Sequence, residues 1–477
     1  MVTRPDVVLV RGPQKRSWLP PVPPLGLLYV AGALEASGRR VAVVDAAAEQ
    51  LDDAAFRARV KALGAPVVGL SGMTPMRGRI SRTAALVRDL TDRVVLGGVH
   101  ATRFSDTALD EFPDVDALVV GEGEGPAPAL LDWWGGGESG APPPGVRVRG
   151  RPFVEASPPK DLDALPRPAR HLVPTEAYGY LFQTRGPITT FISSRGCPFR
   201  CTFCDKTISG SPWRARSADD VVDELEDVVG RHGVRYACIF DDNFTLRRSR
   251  VEAICEELIR RRVDLHWKCE ARVDGVTLDL CRLMKRAGCR TIAFGIESGN
   301  QESLDFLRKD QDLGKMRGAI AAARSAGIET VGYVLVGIPG ETPRTTLRTL
   351  DFAVQTEMDF IQFSTLSPFP GTDLYDLAQA EGWFVESNVT NPVDAEERRA
   401  TLLPPGWSEA DLDRTLRRLY GGFYLRPRWL ARQAWRAGRQ GTLVPRAKLG
   451  LRVAKWCLGG DRVGAGRAGA ARSVSSA

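Results

Sequence analysis

No cysteine occurs in the first 196 residues of this 477-residue chain, and the first three then crowd into "SSRGCPFRCTFCDK", positions 193–206. No run of about 18 uninterrupted apolar residues is present, so no membrane-spanning helix is expected. The opening "MVTRPDVVLVRG" lacks the charged-apolar-small order of a signal peptide. A cytoplasmic location, with thiols kept reduced, is the expectation. The nine cysteines are an odd number, which fits free thiols better than a disulfide framework. No repeat of solenoid period occurs. No helix-turn-helix or zinc-finger pattern occurs either, so no nucleic-acid partner is expected.

What is there is enough for several cores. Apolar residues make up 43% of the chain, and the length implies two or three domains. The net charge of +7 is unevenly placed: residues 414–477 carry 15 Lys/Arg against 1 Asp/Glu. Such a tail can touch an anionic membrane, nucleic acid or an acidic redox partner. The plainer reading is a solvated helical face followed by a disordered end, "GAGRAGAARSVSSA".

The expected fold class is α/β. Apolar runs at Val7–Val10, Val41–Val44, Val67–Leu70, Val94–Leu96 and Leu118–Val120 alternate with helix-period segments such as "PLGLLYVAGALEASG". That rhythm predicts a doubly wound parallel sheet over residues 1–140. Ligands of such sheets bind at the carboxyl ends of the strands. Gly12, Ser71, Thr74, Gly97, Gly98, His100 and Glu122 concentrate there. A Pro/Gly-rich linker is expected over 141–185. Strand candidates at Thr190–Ser193, Tyr236–Phe240, His266–Arg272, Thr291–Glu297, Thr330–Val336 and Phe360–Leu366 imply a second parallel sheet over 186–385, an open or partial (β/α)6 barrel. A small helical C-terminal region with a basic tail fills 386–477, and Ser408 is a plausible helix start.

The three cysteines follow C-x3-C-x2-C: Cys197, Cys201 and Cys204. Structural zinc normally wants four ligands, and no partner pair follows. A 4Fe–4S cluster takes one thiolate per iron, so three thiols would leave one iron open to a ligand. Cys238, Cys255, Cys269, Cys281, Cys289 and Cys457 read as small core residues. Periodicity adds an independent clue. In "HWKCEAR", Lys268, Glu270 and Arg272 share one strand face, and Trp267, Cys269 and Ala271 the other. In "TIAFGIES", Ile292, Phe294 and Ile296 would face the helices, leaving Gly295 and Glu297 opposite. A charged face on a buried strand suggests a polar barrel lumen with a charged ligand. Structural salt bridges between strands are the other reading of these charges.

"CPFRCTFC" at the end of a first barrel strand resembles the signature of the radical S-adenosylmethionine (SAM) superfamily. So do "FDDNFT", "GIESGNQESLDFLRK", "GYVLVGIPGET" and "LSPFPGTDLY". The resemblance implies that Cys197, Cys201 and Cys204 hold a 4Fe–4S cluster whose open iron SAM chelates. Phe203 would face the adenine with its main chain. Asp241, Asp242 and Asn243 stand where the superfamily places its contact to the methionyl amino group, although the usual Gly-Gly-Glu is absent. Arg272, Glu297 and Ser298 would reach SAM from the lumen. Gly337 and Glu341 match the adenine-supporting loop only approximately.

The front segments "PPLGLLYVAGALE", "VVGLSGMTP", "VVLGGVHAT" and "VVGEGEG" resemble the cobalamin-binding subfamily of that superfamily. This implies that Ser71, Thr74, Gly97, Gly98, His100 and Glu122 line a cobalamin site. The familiar D-x-H-x-x-G is missing: the loop after the first strand reads "RGPQKRSW". Cobalamin without a protein imidazole on its lower face is therefore expected, with His100 as a polar contact or a satisfied histidine. The absence of cysteine from the front domain disfavours the methylthiotransferase branch.

The resemblance implies a cobalamin-dependent radical SAM methyltransferase acting on an unactivated carbon, or phosphorus, of a small or lipid-like metabolite. SAM would be used twice, once to methylate reduced cobalamin and once to generate a 5′-deoxyadenosyl radical. The alternative keeps the same cofactors for oxidation, cyclisation or ring rearrangement without net methylation. A reductant such as flavodoxin or ferredoxin is implied, and the basic tail leaves room for peripheral membrane contact.

Overall fold

The computed structural model describes residues 4–14, 20–181, 183–385 and 402–440. The front sheet contains β1 (Val7–Arg11), β2 (Val41–Asp45), β3 (Val67–Ser71), β4 (Arg93–Gly97), β5 (Ala117–Val119) and β6 (Val146–Val148), in the order β2-β1-β3-β4-β5-β6. Helices α1 (Leu25–Ala36), α2 (Asp53–Leu63), α3 (Arg77–Val87), α4 (Val99–Arg103), α5 (Ala108–Glu111) and α6 (Pro126–Gly135) connect or flank these strands. The fully apolar strands have a direct cause. On β1, Val8 and Val10 enter one hydrophobic core, while Val7 and Leu9 enter a second core on the other face. Both faces are covered, so neither set of side chains can be polar.

β1 to β5 pair in parallel, and β6 pairs antiparallel with β5. The segment read as a linker thus contributes an edge strand. Its three residues carry an arginine and lie among Pro and Gly, so no apolar run marks it.

The second sheet has the order β14-β13-β12-β11-β10-β7 and is parallel throughout. Its strands are β7 (Ile188–Phe191), β10 (Tyr236–Ile239), β11 (His266–Ala271), β12 (Cys289–Glu297), β13 (Glu329–Val336) and β14 (Phe360–Thr365). A separate two-stranded ribbon joins β8 (Ser194–Arg195) to β9 (Arg214–Ala215) in antiparallel register. Helices α7 (Ala218–His232), α8 (Arg248–Arg260), α9 (Leu278–Arg286), α10 (Gln301–Phe306), α11 (Leu313–Ser325), α12 (Pro343–Gln355) and α13 (Asp373–Ala380) alternate with these strands. The helix after the cysteine loop shows why the alternation holds locally. Ser217 caps α7 by accepting from the Asp220 N–H, and Gly233 ends it at φ 64°.

The expected side-chain alternation is present. Trp267, Cys269, Ala271, Ile292, Phe294 and Ile296 belong to the core shared with the helices, which leaves Lys268, Glu270, Arg272 and Glu297 on the opposite, concave face. The first barrel strand lies two residues earlier than expected. Ser193 and Ser194 leave the sheet to bind Asp241, and the chain then enters the ribbon.

Cys238, Cys255, Cys269, Cys281 and Cys289 are buried core residues, as read from the sequence. Cys457 and the tail beyond residue 440 lie outside the described residues. Ser408 caps α14 (Glu409–Tyr424) in a reciprocal capping box with Asp411, and α15 (Pro427–Gln440) follows. No helix among the described residues is long and apolar enough to cross a membrane.

Candidate active site

The cysteine loop leaves the carboxyl end of β7 and is closed at its base by the β8–β9 ribbon, where Arg195 stands opposite Arg214. Cys197 is buried, Cys201 half-buried and Cys204 exposed, and none of the three is in a disulfide. Burial pushes the Cys197 thiol up. Cys204 is pushed up to about 11, first by the protein packed around it and then by Cys201. Arg272 reaches the same loop: Nη1 approaches Cys201 Sγ at 3.8 Å, and the guanidinium stacks 3.6 Å from the Phe199 ring centroid. Nη2 donates to the Lys309 carbonyl at 2.6 Å.

The donor set fits an iron–sulfur cluster: three thiols within eight residues of one loop can each take a different iron.

The neighbouring acids divide sharply. Asp241 is 1% exposed and saturated, accepting 2.6 Å bonds from the Ser193 N–H and from both the Ser193 and Ser194 hydroxyls. Asn243 Oδ1 accepts from the Arg272 N–H at 3.3 Å and from the Thr245 hydroxyl at 3.2 Å. Asp242, between them, is exposed and accepts only from the Gly196 N–H, at 3.0 Å. The protein surrounding it raises its carboxyl, only partly offset by that N–H.

At the end of β12 a register shift between Gly295 and Glu297 turns the chain, and Glu297 adopts φ 60°. A bulge of this kind re-aims a side chain. Here it brings Glu297 to Lys309 Nζ at 2.7 Å, with both residues buried. A Cβ on Gly295 would stand 2.6 Å from the Glu297 carboxylate and 2.7 Å from Nζ, so any larger residue there would make the pair shift.

Ser298 turns away to a second acid. Its hydroxyl donates to Glu341 Oε1 at 2.7 Å, and Asn300, Ser303 and Thr346 also donate to Glu341. Gly337 faces α14, where a Cβ would stand 3.0 Å from Leu412. Phe203 packs beside Leu307, Ile338 and Leu366.

Deeper in the lumen, Lys268 is fully buried. It pairs with Glu270, donates to the Tyr180 hydroxyl at 3.3 Å and lies 4.3 Å from the Phe240 ring centroid. The Tyr333 hydroxyl donates to Glu270 at 3.2 Å. Burial works against the charge on Lys268, but Glu270 outweighs it and raises the pKa.

In the front domain, Ser71 is exposed at the end of β3 and Thr74 is buried at the first turn beyond it. Gly98, at φ 90°, follows Gly97. A Cβ there would meet Ser71 Oγ at 2.7 Å and the Gly72 carbonyl at 3.0 Å, so the close approach of these two strand ends needs glycine. At Gly121, after β5, the Cβ position has nothing within 4 Å. The backbone at the end of β5 is therefore open to a ligand, beside the exposed Ser71 at the end of β3, which suits cobalamin. His100 is a core histidine: Nε2 meets Glu111 at 3.1 Å and the ring packs between Phe104 and Phe112.

Glu122 binds Arg195 and Arg214 of the barrel, and Glu124 binds Arg195 at 2.5 Å. Sequence reasoning missed Arg195, Arg214, Arg103, Glu124 and Lys309. The available signal was charge beside a buried strand end, but its partners lie far away in sequence.

Comparison with known proteins agrees with this geometry. The Radical SAM superfamily pattern matches residues 191–353, and the B12 binding domain pattern matches residues 17–131. The chain is 29% identical over 442 residues to an uncharacterized methyltransferase of Pyrococcus horikoshii, covering 90% of this chain and 93% of that protein. It is 31% identical over 374 residues to the anaerobic magnesium-protoporphyrin IX monomethyl ester cyclase of Rubrivivax gelatinosus, covering 74% and 66%. Its fold matches the radical SAM methyltransferase TsrM of Kitasatospora setae, solved with cobalamin and a [4Fe-4S] cluster. The TM-score is 0.68 and the identity 23%, over 86% of this chain and 85% of that one.

Proposed function

As a member of the cobalamin-binding radical SAM family, the chain is an enzyme whose cofactors are a 4Fe–4S cluster, SAM and cobalamin, and we propose that it methylates an unactivated carbon, or phosphorus, of a small or lipid-like metabolite. The observation that carries this reading is the cysteine loop at the barrel's strand ends, joined by ion pairs to the strand ends of the front sheet. When bound, the three groups supply reductive SAM cleavage, hydrogen abstraction and methyl carriage.

The chain's own share is placement. Cys197, Cys201 and Cys204 ligate iron. Asp242 offers the open carboxylate beside them for a cationic amino group. The Glu297–Lys309 pair and Arg272 line the same end of the lumen. Lys268, Glu270, Tyr333 and Phe240 form the floor that orients the substrate and keeps water out. Glu122 and His100 are held by protein partners and serve cobalamin indirectly; Gly97 and Gly98 let the ends of β3 and β4 approach each other, and Ser71 and the backbone at Gly121 are open to it. The single electron comes from a flavodoxin- or ferredoxin-like reductant.

Cysteine-to-alanine changes test the reading. Cys197→Ala, Cys201→Ala or Cys204→Ala abolishes 5′-deoxyadenosine formation and leaves cobalamin stoichiometry intact; retained cleavage in any of them rules the reading out. The cyclase relative favours a second reading with the same cofactors and no net methylation. S-adenosylhomocysteine, formed only when the methyl group is used, separates the two.

A further inference from the structure

We propose that the front domain fixes both ends of the cysteine loop, with Glu122 and Arg103 as positioning residues for the cluster. The inference rests on the reading that this loop carries the cluster. At its first end, Arg195 and Arg214 are direct cross-strand partners on the ribbon that closes the loop. Like charges directly opposite one another destabilise such a pair. Glu122, from the loop after β5, places one carboxylate between them, and Glu124 takes the second branch of Arg195. All four side chains are nearly buried, with Glu122 at 3% exposure. The ribbon therefore closes on a carboxylate that the barrel does not own.

At the other end, Asp205 directly follows Cys204. It accepts from Arg103 of α4 at 2.9 Å and from the Thr207 N–H at 3.0 Å. The polarity is reversed: here the front domain supplies the cation. Nine residues containing all three thiols are thus bracketed by two ion pairs of opposite sense, from the ends of β4 and β5. Those strand ends border the proposed cobalamin site. The arrangement sets the distance between the two cofactors by direct contact and moves Glu122 from a cobalamin contact to a holder of the cluster loop.

The test uses anaerobically reconstituted holoenzyme and SAM. Glu122→Gln removes a charge with little change of shape, and Arg103→Gln removes the charge together with the reach of the guanidinium. Iron and cobalamin per chain, the EPR spectrum of the reduced cluster with and without SAM, and the initial rate of 5′-deoxyadenosine release are measured. Both variants are expected to keep cobalamin, to alter the SAM-bound EPR spectrum and to lose about tenfold or more in cleavage rate. Arg103→Lys, which keeps the charge, recovers most of that rate.

Wild-type spectra with cleavage within about twofold in both variants overturn the proposal. Loss of cobalamin from Glu122→Gln with an unaltered cluster spectrum also overturns it, returning Glu122 to the cobalamin site. Should Glu122→Gln fail to fold, Arg103→Gln carries the same readouts. A wild-type protein that assembles no cluster defeats the functional reading itself, whereas normal wild-type cleavage with unaltered variants defeats only the clamp.

Discussion

Asp241 and Asp242 are neighbours in sequence with opposite environments. Asp241 is consumed by three hydrogen bonds that pin the strand leading to the cysteine loop, and Asp242 is left with one. Sequence alone offered both as SAM contacts, because nothing in "FDDNF" says which carboxylate points inward. The same limit applies to Ser298 and Glu341, which bind each other. Charge alternation on β11, by contrast, was legible, since period two follows from strand geometry alone.

His266, at the opposite end of that strand, supplies a pH test. Its Nδ1 meets the Thr184 hydroxyl at 2.7 Å, and Nε2 faces Arg290 at 2.8 Å. Burial first, then Arg290 and Arg185, lowers it from 6.5 to about 4. Between those values the unfolded chain binds a proton that the folded chain does not, so stability falls as pH drops through that window. Thermal melts at pH 7 and pH 5 will show this fall, and His266→Gln will reduce it. An identical pH dependence in the variant counts against the assignment.

At the scale of elements, β14 is an edge strand whose outward backbone groups need partners. Helix α14 supplies them. The Tyr424 hydroxyl accepts from the Ile361 N–H at 2.9 Å and donates to the Ile361 carbonyl at 2.6 Å. Tyr420 does the same for Phe363, at 3.2 and 3.0 Å. The match is geometric: four residues of helix rise about 6 Å, and two residues of strand span nearly the same distance.

Tyr424→Phe leaves both backbone groups without that partner and is expected to cost about 1–3 kcal/mol, read as a lower Tm. The double change with Tyr420→Phe frees the edge and promotes self-association, detectable by size-exclusion chromatography. A double variant with unchanged Tm and elution contradicts the capping role. The helix itself was legible from Ser408 and its acidic first turn. Its use as an edge cover was not, because the tyrosines follow no periodic signal that separates a covering face from a packing face.

For the whole molecule, the strands of both sheets could be read, those of the front sheet as apolar runs buried on both faces and β11 and β12 by their alternation; the order in which they pair could not. β6 escaped because a three-residue edge strand needs no such run. The joining of the domains was not legible. Glu122 and Arg195 are 73 residues apart, and Arg103 and Asp205 are 102 apart. Ion pairs at such separations leave no local pattern. Through these pairs the strand ends of both sheets meet at the cysteine loop, and an apolar cluster of Ala48 with Ile188, Tyr236 and Cys238 also joins the domains.

The most direct test of the central claim is product analysis after anaerobic reconstitution with iron, sulfide and cobalamin. SAM and a strong reductant are added, and 5′-deoxyadenosine and S-adenosylhomocysteine are quantified over time by mass spectrometry. Methyl transfer predicts both products from the wild-type protein and no deoxyadenosine from Cys201→Ala. Deoxyadenosine without S-adenosylhomocysteine, or deoxyadenosine retained in Cys201→Ala, contradicts the account.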